Sequence, residues 1–171
     1  MSSVYTIRRA TKNDSKGIID LLISLANYEH LEPPDTASRK RIIRDLFSKK
    51  NVFELFVAAE KNSGRLVGYA LYFFTYSSFL ARPTLYLEDI FVLEEHRKRG
   101  LGRDLFLRCV SEAAKKKCGR MEWSVLTWNK NAIDFYEKLG ARRLEEWHYY
   151  RLTEEKMEGL LKSEVTKKSG L

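Results

Sequence analysis

The feature that most constrains the fold is a glycine-containing loop between a β-rich run and a run with helical spacing. Residues 85–93 read LYLEDIFVL, residues 97–102 read RKRGLG, and apolar residues then recur every fourth position up to residue 113. This change of period predicts a strand, a tight turn and a helix. Glycines let the backbone turn and let a ligand approach closely, and the free N–H groups of the following helix point back at the loop. The pattern predicts an α/β protein with an anion-binding turn.

The remaining sequence predicts one domain over residues 1–171, with a core at 4–152 and a C-terminal helix and polar tail at 153–171. No internal repeat or low-complexity linker divides it. The predicted order is β-α-α-β-β-β-α-β-α-β-β, which is typical of an α/β domain with a mixed sheet. The predicted strands cover residues 4–8, 53–59, 66–74, 85–93 and 121–126, with a hairpin turn at residues 61–64. The predicted helices cover about 14–26, 38–47, 101–117 and 131–139. Two more extended segments follow the helix at 131–139, the last at 147–152, and a short helix begins at 153.

The charge distribution favours an anionic ligand. The 171 residues include 31 Lys and Arg against 23 Asp and Glu, a net charge of +8. Residues 95–120 alone hold nine basic and three acidic residues, a net +6. A glycine-capped turn beside a solvated basic helix is the alternative explanation, and a nucleic-acid-binding module is a more distant one that lacks any recognition motif. A Walker loop is excluded because no Gly-Lys-Ser/Thr follows.

Composition also predicts the compartment. Two cysteines cannot form a disulfide framework, which is expected in a reducing compartment and favours a cytoplasmic protein. No apolar stretch approaches the roughly 18 residues of a membrane span, and the first residues lack a signal-peptide core. We therefore predict no membrane partner. The three histidines have no metal-ligand spacing, so we also predict no metal.

A pair of adjacent carboxylates, Glu88 and Asp89, interrupts the apolar strand at 85–93. Neighbouring strand residues face opposite sides of the sheet, so one carboxylate points inward unless a bulge re-aims both. A buried carboxylate costs several kcal/mol unless it is paired, which makes this pair a candidate functional site. A salt bridge to one of the many arginines is the structural alternative.

A third segment, residues 128–141, reads WNKNAIDFYEKLGA. Its apolar spacing predicts a helix that ends at Gly140. Tyr136 on this helix is either a core residue or a proton donor.

These segments, in this order, resemble the Gcn5-related N-acetyltransferase (GNAT) superfamily. With LANYEHLE at residues 25–32 and YFFTYSSF at residues 72–79, the chain is most similar to the spermidine/spermine (diamine) and thialysine acetyltransferase branch. The resemblance implies a mixed, mostly antiparallel central sheet flanked by helices. It also implies direct acetyl transfer from acetyl-CoA to an amine in a ternary complex, and a homodimer.

The resemblance implies a role for each matched residue. Tyr136 would protonate the leaving thiolate, and Glu88 would take the proton of the amine. The implied acetyl-CoA contacts are Ile90, Phe91, Val92, Arg97, Lys98, Arg99, Gly100, Leu101, Gly102, Arg103, Asn129, Lys130, Asn131 and Ala132. The implied amine contacts are Tyr28, Glu29, Glu88, Asp89, Glu122, Trp123, Ser124 and Glu146.

The predicted function is therefore acetylation of a small primary amine. Polyamines and diamines such as spermidine and spermine come first, followed by thialysine-like lysine analogues. The alternative within the same chemistry is a protein N-terminal or lysine acetyltransferase.

Overall fold

In the part of the chain that the structure describes, five strands form one sheet in the order in which they occur in the sequence. The structure, a computed structural model, describes residues 4–50 and 52–168, with side chains up to residue 163. Neighbouring strands are antiparallel, except that the fourth and fifth strands are parallel. This arrangement confirms the predicted α/β class with a mixed, mostly antiparallel sheet. The strands are β1 (Tyr5–Arg9), β2 (Glu54–Glu60), β3 (Leu66–Ser77), β4 (Arg82–Val92) and β5 (Arg120–Glu122).

The described residues form five α-helices, and local sequence signals explain where several of them begin and end. The Asp35 carboxylate accepts a hydrogen bond of 2.6 Å from the Ser38 amide at the start of the second helix, as an N-cap does. Gly140 has φ 87° just after the fourth helix, the left-handed geometry expected of a C′ glycine. The helices are α1 (Ser15–Tyr28), α2 (Thr36–Leu46), α3 (Leu101–Lys115), α4 (Lys130–Lys138) and α5 (Glu154–Lys168).

The hydrophobic core on one face of the sheet is built from α1 and alternating residues of the central strands. Helical spacing puts Ile18 and Leu21 on the buried side of α1, where both are almost fully buried. The side-chain period of two puts Tyr69 and Leu71 of β3 on the same face, together with Phe91 of β4. α3 also contacts the sheet, with Leu105 and Cys109 among its fully buried residues.

A β-bulge interrupts the pairing of β3 with β4. Leu71 is paired with Asp89, but the next residue, Tyr72, is paired with Leu87. Glu88 is therefore the extra residue on β4. Such a bulge bends a strand and re-aims its side chains. The bulge that the sequence prediction allowed for is present, but it does not turn both carboxylates inward, because Asp89 is partly buried and Glu88 is exposed.

The C-terminal part of the chain differs from the prediction. β5 ends at Glu122 instead of residue 126, and residues 147–152 form no strand. Trp147, Tyr149 and Tyr150 are each more than 70% exposed, so no buried face fixes a strand register there. The predicted short helix from residue 153 is instead the 15-residue helix α5.

The chain divides into two compact units, Met1–Ser124 and Val125–Leu171. The first holds the sheet and α1 to α3, and the second holds α4 and α5. Among the described residues, no helix is both long and apolar enough to cross a membrane.

Candidate active site

The loop between β4 and α3 has the backbone shape of an anion-binding turn. Lys98 has φ 58° and Gly100 has φ 82°, and α3 begins directly afterwards at Leu101. Alternating left- and right-handed residues turn successive N–H groups toward one concave side. A Cβ atom built on Gly100 or Gly102 would meet no atom within 4 Å, so the space over this turn is open. The loop and the first turn of α3 can therefore receive a phosphate group.

Two arginines hold this loop against the rest of the sheet. The Arg97 Nε donates to the Val92 carbonyl at 2.8 Å. The Arg99 guanidinium donates to the Tyr5 hydroxyl at 3.3 Å, and that hydroxyl lies 3.0 Å from the Nδ1 atom of buried His96. These two predicted acetyl-CoA contacts therefore anchor the loop, whereas the Lys98 side chain is exposed.

The end of β4 offers backbone groups beside the loop. β5 pairs with β4 only through residues 84–86, so no strand of the described chain covers this edge of β4 at residues 88–92. Ile90, Phe91 and Val92 lie on this stretch and pair with β3 on the other side. An extended amide-containing ligand could add to the open edge as a further strand would.

The guanidinium of Arg97 also connects the loop to the end of α1. It lies 4.6 Å from the centre of the Tyr28 ring and 5.5 Å from that of Phe91. The Tyr28 and Phe91 ring centres are 6.3 Å apart. The structure thus brings together residues predicted for the acetyl-CoA site and the amine site.

Two carboxylates, those of Glu88 and Glu29, act on a third, that of Asp89, at the bulge. Asp89 is the more buried acid of the pair on β4, and Glu88 is exposed. Burial, then Glu88, then Glu29 raise the pKa of Asp89 to about 6, against a hydrogen bond from Tyr69 that lowers it. Burial also raises the pKa of Glu29, the residue that follows the last turn of α1. This grouping suits a ligand that carries positive charge.

Two further predicted amine contacts of the first unit have partners within it. Glu122 forms an ion pair of 3.0 Å with Arg120. The Trp123 ring packs edge-on against Phe106 of α3, with ring centres 5.4 Å apart, and Ser124 is exposed.

The second unit carries the remaining predicted residues. The Asn129 Oδ1 accepts a hydrogen bond of 3.2 Å from the Ala132 amide and caps α4, and Lys130 and Asn131 are exposed. Tyr136 is buried, and its ring packs edge-on against Phe135, with ring centres 5.2 Å apart. Glu146 lies in the exposed segment without regular structure.

The sequence prediction missed Tyr69. This side chain is fully buried on β3, and its hydroxyl donates to the Asp89 Oδ2 at 3.2 Å. No signal in the sequence separates it from Tyr72, which is equally buried and donates instead to Glu54 at 3.1 Å. Only the strand register shows which tyrosine faces the bulge.

Chemically, the first unit joins an open turn for an anion to a group of acids for a cation. Among the described residues, no cluster of three or more His, Cys, Asp or Glu side chains is arranged to hold a metal. A group-transfer reaction between an anionic donor and a cationic acceptor fits this arrangement.

Comparison with known proteins agrees with a group-transfer reaction. Residues 17–141 match the family described as Acetyltransferase (GNAT) family. The chain is 37% identical over 169 residues to thialysine N-epsilon-acetyltransferase of Sus scrofa, covering 94% of this chain and 98% of that protein. It is 32% identical over 161 residues to spermidine/spermine N(1)-acetyltransferase-like protein 1 of Homo sapiens, covering 90% of this chain and 23% of that one.

A solved structure described as a probable acetyltransferase has the same fold. It aligns with a TM-score of 0.76 at 24% identity, covering 86% of this chain and 97% of that chain. Because the family match spans more than half of the chain and the relative from Sus scrofa aligns over nearly its full length, the chain belongs to the GNAT family of acetyltransferases.

Proposed function

We propose that this acetyltransferase moves the acetyl group of acetyl-CoA to a primary amine of a small molecule, by direct attack in a ternary complex. The substrates we propose are thialysine-like lysine analogues and polyamines, which carry a second charged group besides the reacting amine. The observation that carries the proposal is the group of three acids, Glu29, Glu88 and Asp89, beside an open basic loop. The names of the relatives from Sus scrofa and Homo sapiens support the same substrate class.

The grouped acids offset the repulsion that the net positive charge of the chain exerts on a cationic amine. A chain with a net charge of +8 repels a cationic amine at long range. Carboxylates grouped at one place attract it at short range, where screening by salt is weakest. Glu88 and Asp89 on β4 would bind the reacting ammonium, and Glu29 at the end of α1 would bind the remote charge.

The reacting nitrogen must lose a proton before it attacks. A primary amine has a pKa near 10.4, about 3.4 units above neutral pH, so its neutral form costs about 4.6 kcal/mol. We assign proton removal to Glu88, directly or through water, because a carboxylate within hydrogen-bond reach can act as a general base. The proton that the leaving sulfur needs would come from Tyr136.

The loop would hold the other substrate. Backbone N–H groups at Lys98 to Arg103 and the positive end of the α3 dipole suit a pyrophosphate. The open edge of β4 at residues 90–92 would pair with the amide groups of the pantetheine arm. Asn129 to Ala132 at the start of α4 are the further acetyl-CoA contacts that we propose.

The remaining proposals concern the whole protein. The family match crosses from the first unit into the second, which supports one acetyltransferase domain. A cytoplasmic location is supported by the low cysteine content. A homodimer is supported by the resemblance to the polyamine and thialysine branch.

The test is consumption of acetyl-CoA with thialysine, lysine, spermidine, spermine, putrescine, a short monoamine and short peptides. Glu29→Gln should raise KM for substrates with a remote positive charge about tenfold to a hundredfold, because a hydrogen-bonded charge pair contributes about 1.5–3 kcal/mol. KM for the monoamine should barely change. Asp20→Asn, which removes an exposed acid from the same helix, is the matched control.

Two outcomes would contradict the proposal. Equal losses for long and short amines in Glu29→Gln would remove Glu29 from recognition of the remote charge. Turnover with peptides alone would replace small amines by protein substrates.

A further inference from the structure

The Tyr69 hydroxyl is a buried polar group whose position is set by strand pairing. The side chain is 0% exposed, and its oxygen lies 3.2 Å from the Asp89 Oδ2. A buried hydroxyl without a partner is costly, and a hydrogen bond to an ionised group is stronger than one between neutral groups. Tyr69 therefore favours the ionised form of the Asp89 carboxyl group.

The bulge decides that these two groups meet. Tyr69 is paired with Phe91 and Leu71 with Asp89, so alternate residues of both strands lie on the same face of the sheet. After Asp89 the register shifts, and Glu88 is left as the extra residue. Asp89 thus shares a sheet face with Tyr69, while its neighbour Glu88 is exposed.

We propose that Tyr69 is a positioning residue that holds Asp89 ionised and oriented toward the ammonium group of the amine substrate. This inference rests on the proposed function and adds a residue to it. Tyr69 acts through Asp89 and need not touch the substrate.

The environment of Asp89 disfavours its ionised form, which is why the hydrogen bond from Tyr69 matters. Glu88 on its own strand and Glu29 at the end of α1 both disfavour a further negative charge, and burial does so more strongly. The loop after β4 carries Arg97, whose guanidinium contacts the Val92 carbonyl and the Tyr28 and Phe91 rings. The pairing of β5 with β4 ends at residue 86, before Asp89 is reached. The Tyr69 hydrogen bond works against the two acids and the burial.

The consequence for pH dependence has a definite sign. The pKa of Asp89 is raised to about 6 even with the Tyr69 hydrogen bond, which lowers it. Loss of that bond raises the pKa further, so the carboxylate becomes protonated nearer to neutral pH. Binding of a cationic amine should then be lost at a higher pH than in the unchanged protein.

The variant that tests this is Tyr69→Phe, with Tyr72→Phe as its matched control. Both tyrosines are fully buried on β3 and donate to a carboxylate, but the partner of Tyr72 is Glu54. The first measurement is a titration of the Asp89 carboxyl carbon by NMR, assigned with Asp89→Asn. The second is the pH profile of kcat/KM for thialysine and for spermidine.

We expect Tyr69→Phe to raise the pKa of Asp89 by about one unit, as loss of a charge-assisted hydrogen bond should. The acid limb of kcat/KM should move by the same amount, with near-normal rates at high pH. Tyr72→Phe should move neither. If Tyr69→Phe does not fold, Asp89→Asn should abolish this acid limb, and retention of the limb would overturn the proposal.

The titration separates this proposal from the proposed function. An unchanged pKa of Asp89 in folded Tyr69→Phe overturns the positioning role, even if amines are acetylated. An equal loss of rate at every pH does the same. A raised pKa in a protein that acetylates none of the amines contradicts the proposed function instead.

Discussion

At the scale of single residues, environment separates groups that the sequence makes equivalent. Glu88 and Asp89 are adjacent acids, but only Asp89 is substantially buried and receives a tyrosine hydrogen bond. Tyr69 and Tyr72 are equally buried on one strand, but they face different carboxylates. The division of work that we propose, with Glu88 as base and Asp89 as ammonium ligand, follows from these environments.

Tyr136 is the residue whose substitution should most clearly separate chemistry from binding. Tyr136→Phe should lower kcat by about 10²–10⁴, as expected when a general acid is lost, while affinity for acetyl-CoA is retained. Tyr149→Phe, which removes the hydroxyl of an exposed tyrosine in the same unit, is the control. Stopped-time assays and calorimetry would measure the two quantities. A fall in melting temperature with unchanged turnover per folded molecule would instead make Tyr136 a core residue.

At the scale of elements, the junction of β4 with α3 brings together several of the site residues predicted in the first unit. The bulge at Glu88 turns the strand, the uncovered edge at residues 88–92 leaves backbone groups available, and the loop then leads into the start of α3. Arg97 contacts both β4 and the end of α1. Movement of this loop would therefore change the contact between the Arg97 guanidinium and the Tyr28 ring.

Gly102 allows a test of the loop that spares the fold. Gly102→Leu should abolish binding of acetyl-CoA because the side chain would occupy the open space over the loop, where a Cβ atom meets no neighbour within 4 Å. Leucine also favours helix by up to about 1 kcal/mol relative to glycine. Gly159→Leu, at an equally open position of α5, is the matched control. Circular dichroism would establish folding, and unchanged affinity by calorimetry in folded Gly102→Leu would contradict the assignment.

At the scale of the whole molecule, the net charge of +8 and the local acids act on the two substrates in opposite ways. The basic segment at residues 95–120 attracts an anionic donor over a distance comparable to the Debye length. A cationic amine is repelled by the same field and attracted only near the acids. Ionic strength should therefore affect the two substrates differently.

We expect KM for acetyl-CoA to rise several-fold as salt is increased from about 10 mM to about 150 mM, where the Debye length falls from about 30 Å to about 8 Å. KM for thialysine should fall by less than twofold, because salt weakens the long-range repulsion while the short-range attraction to the acids is screened least. Acetyl-pantetheine, which lacks the pyrophosphate, is the control donor and should show little salt dependence. The same salt dependence for all three substrates would contradict this account of the charge.

Local sequence patterns were sufficient for most elements of the first unit. The four-residue apolar repeat predicts α3, because one face of a helix must be buried, and the turn at residues 61–64 predicts the hairpin of β2 and β3. Gly100 and Gly102 predict an open turn because the absence of Cβ is a local property. The class of fold and the place of the basic loop follow from such local rules.

Tertiary structure decided the features that depend on strand register and burial. A bulge is a mismatch between two strands, so neither sequence alone shows that Glu88 is the extra residue or that Tyr69 meets Asp89. The predicted strand at 147–152 was wrong for the same reason, since an apolar pattern becomes a strand only where a partner and a buried face fix it. The sequence by itself determined the elements and the open turn, whereas strand pairing decided which carboxylate is buried and which tyrosine supports it.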